Sequence, residues 1–309
     1  GHTGGTIDKL ECVPGLRTDL SIDEFRATVD RVGCAIASAS ADLAPADKKL
    51  YALRHETGTA ASIPLIAASI MSKKIAAGAP AIVLDVKVGS GSFMREITEA
   101  RELARTMVEI GSRMGKRVRA LLTAMDAPLA DAAGDALELD QALLVLEGGG
   151  SVRLREISCS MAGAMLETCG VAGDGSGYAL AESALRSGAA RDTFAKLLVA
   201  QGGELDRFDR SFPIGADVVA AEDGYVASID AGMIGETVAL AKRGRRRADA
   251  SRIGVRVVRR IGDAVAAGDA VLRYIGAEPD PMNLRLLNQA VKVGKSRPAE
   301  SPLLLGVVP

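Results

Sequence analysis

Apolar residues recur along this chain at two periods, one helical and one extended. Ser21-Ile22-Asp23-Glu24 has the spacing of a capping box, and an apolar-periodic stretch follows it to Val32, which predicts a helix. Gly33 leads into Cys34–Ser38, short and apolar enough for a buried strand. Pro45 opens a short helix carrying Tyr51 and Arg54, and a second helix runs from Ser62 to about Ala77, stopped by Gly78. Ala81–Val88 is an apolar run of strand length that ends at Gly89 and reads as a central parallel strand, buried on both faces. A long helix from about Ile97 to Met114 closes at Gly115, and Arg117–Thr123 is the next strand. Strand, helix and strand in succession make a βαβ unit, so the architecture is α/β with a mixed or parallel sheet flanked by helices.

Helical patterns dominate from Asp135 to about Ala200, and the character of the chain changes near Phe212-Pro213. Beyond that point come short β-branched segments: Asp217–Ala220, Gly224–Ile229, Thr237–Leu240, Gly254–Val258 and Ala270–Ile275. Turns such as Glu222-Asp223-Gly224 and Ala267-Gly268-Asp269 separate them. A last helix is expected over about Pro281–Val293, which makes this stretch a C-terminal α+β domain.

Composition narrows the function classes. With 309 residues the chain is long enough for two domains, and 48% hydrophobic with 25% charged residues is ordinary for a globular protein. A formal net charge of -1 supplies no field to recruit nucleic acid or an anionic membrane, and 3% aromatics leave little for base stacking. Lys242-Arg-Gly-Arg-Arg-Arg247 is a local basic run, read as a solvated loop because the surrounding chain is neutral. No apolar run reaches membrane-spanning length, and the scattered Cys12, Cys34, Cys159 and Cys169 read as buried free thiols in a reducing compartment, the cytoplasm. With His2 and His55 as the only histidines and no partner motif around either, a hydrolase triad and a zinc site are both disfavoured.

The candidate chemistry lies in two clusters and two loops. On a helix Ser69 and Lys73 are four apart and share a face, as do Tyr51 and Arg54, three apart. An aromatic ring, a guanidinium, a hydroxyl and an ammonium converging on one cleft suit a flat polar ring that takes up negative charge on leaving a sugar. Lys73 and Lys74 are also what a helix C-terminus favours, but that does not account for Ser69 or Arg54. Gly89-Ser-Gly-Ser-Phe93 follows a strand and precedes a helix, so it reads equally as an anion cradle or as a tight turn. Lys87 beside it either reaches a phosphate or pairs with Asp85. The opening His2-Thr-Gly-Gly-Thr6 is a second possible anion loop, with a plain glycine turn as its simpler reading.

These residues together resemble the thymidine phosphorylase and pyrimidine-nucleoside phosphorylase family. The resemblance is carried in order by Gly1–Glu11, Leu43–Lys48, Tyr51–Arg54, Ser62–Ile66, Leu84–Met94, Gly244–Arg247 and the Gly262-Asp263 to Gly268 stretch, across essentially the whole chain. It implies reversible phosphorolysis of thymidine, and of uridine or deoxyuridine where specificity is broad, to free base and (deoxy)ribose 1-phosphate. It implies no cofactor, inorganic phosphate as co-substrate, and a cytoplasmic homodimer. Tyr51, Arg54, Ser69 and Lys73 match the family's pyrimidine-binding positions, Arg54 and Lys73 would stabilise the leaving base, and Thr6 matches a phosphate-contacting threonine. The domains expected are an α/β phosphorylase domain over 1–40 and 78–213, part of a small α-helical lobe over 41–77, and the C-terminal domain over 214–309.

The chain opens on Gly1 in mid-loop rather than on Met. The family's principal phosphate loop, a Lys-His-Ser-Thr-Gly-Gly segment, and most of its small helical lobe are therefore expected upstream, and the chain as written is expected to be nearly inactive alone. Two departures stand out: His55-Glu-Thr-Gly58 after the arginine, and Gln141 where some members offer a carboxylate to a cation, so no metal is expected. The rival readings are a non-catalytic pyrimidine-binding paralogue or a related phosphoribosyltransferase.

Overall fold

The computed structural model describes residues 5–38, 44–47, 50, 53, 57, 59, 62–299 and 301–309. In chain order the elements are α1 (Thr6–Leu10), α2 (Ile22–Val32), α3 (Ile63–Ala76), β1 (Ala81–Val88), α4 (Ile97–Arg113), β2 (Arg117–Ala124) and β3 (Ala132–Ala133). There follow α5 (Asp135–Leu146), α6 (Val152–Thr168), α7 (Gly177–Arg186), α8 (Ala189–Ala200), β4 (Ile214–Val219), β5 (Gly224–Ile229) and α9 (Ala231–Lys242). The last are α10 (Arg247–Ala250), β6 (Gly254–Val257), β7 (Ala264–Val265), β8 (Ala270–Ile275), α11 (Pro281–Ala290), β9 (Val291–Gly294) and β10 (Leu304–Val308). The fold is thus mixed α/β. It forms two compact units: one of Gly1–Ala37, Met125–Arg155 and Ser187–Ser301, the other of Ser38–Ala124, Glu156–Arg186 and Pro302–Pro309.

The second unit contains the expected βαβ crossover. β1 and β2 pair in parallel from Ala81↔Arg117 to Val88↔Ala124, and β10 adds to β2 antiparallel, in the order β1-β2-β10. The middle strand is therefore β2, and β1 is not buried on both faces. Its even residues Ile82, Leu84, Val86 and Val88 are buried in a core with Ala67, Met71, Ala100, Leu103, Ala104 and Met107 of α3 and α4. Its odd positions are half-buried, and Asp85 is exposed. A polar pair within an apolar run is what this alternation predicts, and Asp85 and Lys87 are that pair.

In the first unit, β3-β6-β8-β4 and β7-β5-β9 are antiparallel sheets around a core that includes Val226, Ile234, Val238, Val255, Val271, Leu272, Tyr274 and Leu287. A separate helical cluster joins Leu10, Val13, Leu139, Leu143, Leu197, Leu198 and Phe208. The capping box of α2 forms as read: the Glu24 backbone N–H donates to Ser21 Oγ at 3.2 Å and the Ser21 N–H to Glu24 Oε2 at 2.8 Å.

Two strand expectations are corrected here. Cys34–Ser38 is extended but joins no sheet, because the Gln201 side chain takes the place of a neighbouring strand. Gln201 accepts from the Ile36 N–H at 3.1 Å and donates to the Ile36 carbonyl at 2.8 Å. Thr237–Leu240 lies inside α9, capped by Asp230, whose carboxylate accepts from the Met233 N–H at 2.9 Å. The C-terminal helix also ends early, at Ala290, and Val291–Gly294 is a strand paired with β5.

Candidate active site

The residues best placed for chemistry lie on α3 of the second unit. Pro64 sits in the first turn of this helix, where its fixed φ is favourable, and Lys73 and Lys74 occupy the last turn, where cations oppose the dipole. Ala67 and Met71 face the apolar core. Ser69 and Lys73 lie roughly 200° further round the helix. Lys73 Nζ donates to Ser69 Oγ at 3.1 Å and to Asp47 Oδ2 at 2.5 Å. The Asp47 side chain is 13% exposed and that of Lys73 37%, so the carboxylate is shielded while the ammonium remains reachable. An ammonium has three N–H donors, and these two bonds use two of them.

Ser69 and Lys73 are brought together as their spacing requires. Asp47 is the residue that sequence reasoning misses: it lies within Leu43–Lys48 but 26 positions from Lys73, with no periodicity linking the two. Tyr51 and Arg54 lie outside the described residues, as do His2 and His55. Thr6 is in the first unit, exposed, as the first residue of α1. The Gly5 N–H just before it donates to Asp8 Oδ2 at 2.7 Å, so that amide is committed within the turn.

The loop after β1 is a tight turn closed on itself. Gly89 takes φ 126°, a conformation that favours glycine, and its N–H donates to the Met94 carbonyl at 3.0 Å. The Ser92 N–H donates to the Gly89 carbonyl at 3.0 Å, and the Ser92 hydroxyl to the Met94 carbonyl at 2.6 Å. Those two amides are spent within the loop. Lys87 just before it pairs with Asp85 at 2.6 Å, the plainer of its two readings, but it also donates to Thr123 Oγ1 on β2 at 3.1 Å.

The basic run does more than face solvent. Lys242 pairs with the buried Asp135 at 2.5 Å, Arg247 pairs with Glu11 and, at 3.6 Å, with Asp8, and Arg245 donates to the Ala241 carbonyl at 2.9 Å. The run ties α9 and α10 to α1 and α5. Beside it, burial and then the Asp135 charge push the Cys12 thiol up to about 11. Cys159 is buried, but Cys12 and Cys34 are half-buried and Cys169 is exposed, contrary to the expectation of buried thiols. Because the thiolate is the nucleophile, N-ethylmaleimide at pH 8 should label Cys169 first and Cys12 slowly, with the Cys12 rate rising about tenfold per pH unit towards 10. Peptide mass mapping checks this, and equal rates for the two at pH 8 would contradict it.

Among the described residues, no group of three His, Cys, Asp or Glu is placed to hold a metal ion, and no helix is long and apolar enough to cross a membrane.

Comparison with known proteins gives both a family and relatives. Residues 1–191 match the model of the glycosyl transferase family, a/b domain. A thymidine phosphorylase of Mycobacterium tuberculosis is 46% identical over 286 residues, which are 91% of this chain and 65% of that protein, so the chain spans about two thirds of that relative's length. A thymidine phosphorylase of Sinorhizobium medicae is 41% identical over 98% of this chain and 72% of its own length. A pyrimidine-nucleoside phosphorylase of Geobacillus stearothermophilus is 39% identical over 99% of this chain and 72% of its own length. Family match and relatives agree, and the chain belongs to the glycosyl transferase family that includes the thymidine and pyrimidine-nucleoside phosphorylases.

Proposed function

We propose that this protein is a pyrimidine nucleoside phosphorylase, converting thymidine and phosphate reversibly to thymine and 2-deoxyribose 1-phosphate, with uridine and deoxyuridine as further substrates. The observation that carries the reading is the pairing of Lys73 with both Ser69 and Asp47, in a chain whose relatives bear the phosphorylase name. In this reaction a phosphate oxygen bonds to the sugar C1′ as the bond from C1′ to the base nitrogen breaks. The electron pair of that bond goes to the ring, whose carbonyl oxygens share the negative charge until the base takes up a proton.

The site's task is to lower the energy of that charge. A cation fixed in advance near the carbonyl oxygens does so without reorganising during the reaction. Asp47 and Ser69 hold the Lys73 ammonium in place, and its remaining N–H donates to a base carbonyl oxygen. Arg54 and Tyr51 complete the base-binding set, and Thr6 contacts phosphate. Phosphate is the co-substrate, no cofactor is needed, and a cytoplasmic homodimer belongs to the same proposal.

The test is the release of thymine from thymidine by the full-length gene product, followed by absorbance with and without inorganic phosphate. Phosphate-dependent release of thymine with formation of the sugar phosphate is the expected result. Binding of thymine without any phosphate-dependent turnover would replace the reading with that of a pyrimidine-binding protein.

A further inference from the structure

A cleft of about 500 Å³ lies between α2 and the carboxyl end of α8, wholly within the first unit. Arg17, Leu20, Glu24, Ala27, Arg31 and Val199 are among the residues that line it. Glu24, Ala27 and Arg31 recur at helical spacing, so one face of α2 forms a wall. The cleft stays open because α2 buries little of itself: Thr28 is its only buried residue, and Val199 of α8 is 73% exposed. The far wall is pinned by Gln201. Its side chain donates to the Arg17 and Ile36 carbonyls, both at 2.8 Å, and accepts from the Ile36 N–H at 3.1 Å. The Arg17 N–H in turn donates to the Gln201 carbonyl at 2.9 Å.

The charges of the cleft do not balance. Two guanidiniums and one carboxylate line it, which leaves one positive charge over. Glu24 is committed to Arg17 at 3.0 Å, and the Ser21 N–H, followed by Arg17, holds its carboxyl down to about 2. That pair is therefore closed at any ordinary pH. Arg31 has no ion-pair partner among the described residues; its Nη2 donates to the Ala200 carbonyl at 3.1 Å. A guanidinium in this place also opposes the dipole of α8, but the bond uses one of five N–H donors and leaves a forked edge open. Small-molecule sites have this size and join an apolar lining to a few placed polar groups. A fixed, unpaired fork beside the apolar surface of Leu20, Ala27 and Val199 suits a carboxylate carried on an apolar body. The spacing of Glu24 and Arg31, about 10 Å along the helix, sets the length of that body.

We propose that this cleft binds a small organic acid, its carboxylate held in the Arg31 fork and its apolar body laid along Leu20, Ala27 and Val199. Lys73 belongs to the other unit, and the acid site stands whether or not the protein is a phosphorylase.

The probe is 4-phenylbutyrate, with uncharged 4-phenylbutyramide as its match, and binding to the full-length gene product is followed by calorimetry and ligand-observed NMR. The wild-type protein is expected to bind the acid with a Kd of about 1 mM, ordinary for a ligand of this size, and the amide at least about tenfold more weakly. Arg31→Gln is expected to weaken binding of the acid at least about tenfold, the cost of a lost charge-assisted hydrogen bond, and to leave the amide within about twofold. Val199→Asp sets a carboxylate in the wall that competes for the guanidinium, and is expected to weaken the acid by a similar factor. Arg31 and Val199 are both exposed, so neither change disturbs a core. Failure of the wild-type protein to bind the acid at about 10 mM overturns the proposal. So does an amide that binds as tightly as the acid, or an acid that binds Arg31→Gln as well as it binds the wild type.

Discussion

Replacing Lys73 by Met is expected to lower kcat for thymidine phosphorolysis by about 10²–10³-fold, the loss typical when one preorganised donor to a developing anion is removed. The change deletes the ammonium that Asp47 and Ser69 hold, but keeps the length and apolar stem of the side chain. Lys74→Met is the control. Lys74 is the next residue along, exposed, and equally placed to oppose the helix dipole. If the dipole were the reason for a lysine in this turn, the two variants would behave alike; on the proposed mechanism Lys74→Met stays within about twofold. Ser69→Ala removes one neutral partner of the ammonium and should cost about three- to tenfold. Steady-state kinetics with thymidine checks all three, and near-normal kcat in Lys73→Met would remove this lysine from the reaction.

The two residues of that argument were legible because their relation is local. Four positions on a helix is a distance that sequence spacing fixes, and α3 forms where Ser62, Pro64 and Gly78 bound it. Asp47 and Thr123 were not legible as partners. Each meets its lysine through tertiary placement: Asp47 across 26 residues, Thr123 through the register of a parallel pair that closes 36 residues later. Only the register tells which residue of β2 faces Lys87, and no periodicity in the sequence carries it.

The same division explains the fold. The βαβ crossover was read correctly since an apolar run, an amphipathic helix and a second apolar run each declare their own type. Thr237–Leu240 was misread because four residues with β-branched members look like a strand in isolation. The longer window shows Ala231, Ile234, Val238 and Ala241 buried at helical spacing, with Asp230 as cap. β1 departs from its expectation in burial and not in type: the stretch looks like a continuous apolar run, but its buried positions alternate and Asp85 and Lys87 stand on the other face. Cys34–Ser38 failed for a different reason. Extended backbone needs partners for its polar groups, and at Ile36 a single glutamine side chain supplies them in place of a strand.

Gly163 is the position where a small substitution should do the most damage to the second unit. It lies mid-helix on α6, where its conformation would suit any residue, but α7 begins directly against it. A Cβ there would stand 2.5 Å from the Tyr178 backbone nitrogen and 2.7 Å from the Gly177 carbonyl carbon. The contact is reciprocal, since a Cβ on Gly177 would be 2.2 Å from the Gly163 carbonyl oxygen. All these atoms are backbone, so no flexible side-chain end can move aside. Glu167, one turn on, accepts from the Gly177 N–H at 3.0 Å and from Arg119 of β2 at 2.6 Å, so separating the helices also strains the link from α6 to the sheet. Gly163→Ala is therefore expected to cost about 3 kcal/mol, at the upper end of overpacking effects, despite alanine's better helix propensity. Gly78→Ala supplies the contrast: its φ of +85° carries a conformational penalty, but nothing lies within 4 Å, so about 1 kcal/mol is expected. Urea unfolding of the two variants compares a steric cost with a purely conformational one. An unshifted midpoint in Gly163→Ala would mean that the helices can part at this crossing, and that the Glu167 link to Arg119 does not depend on it.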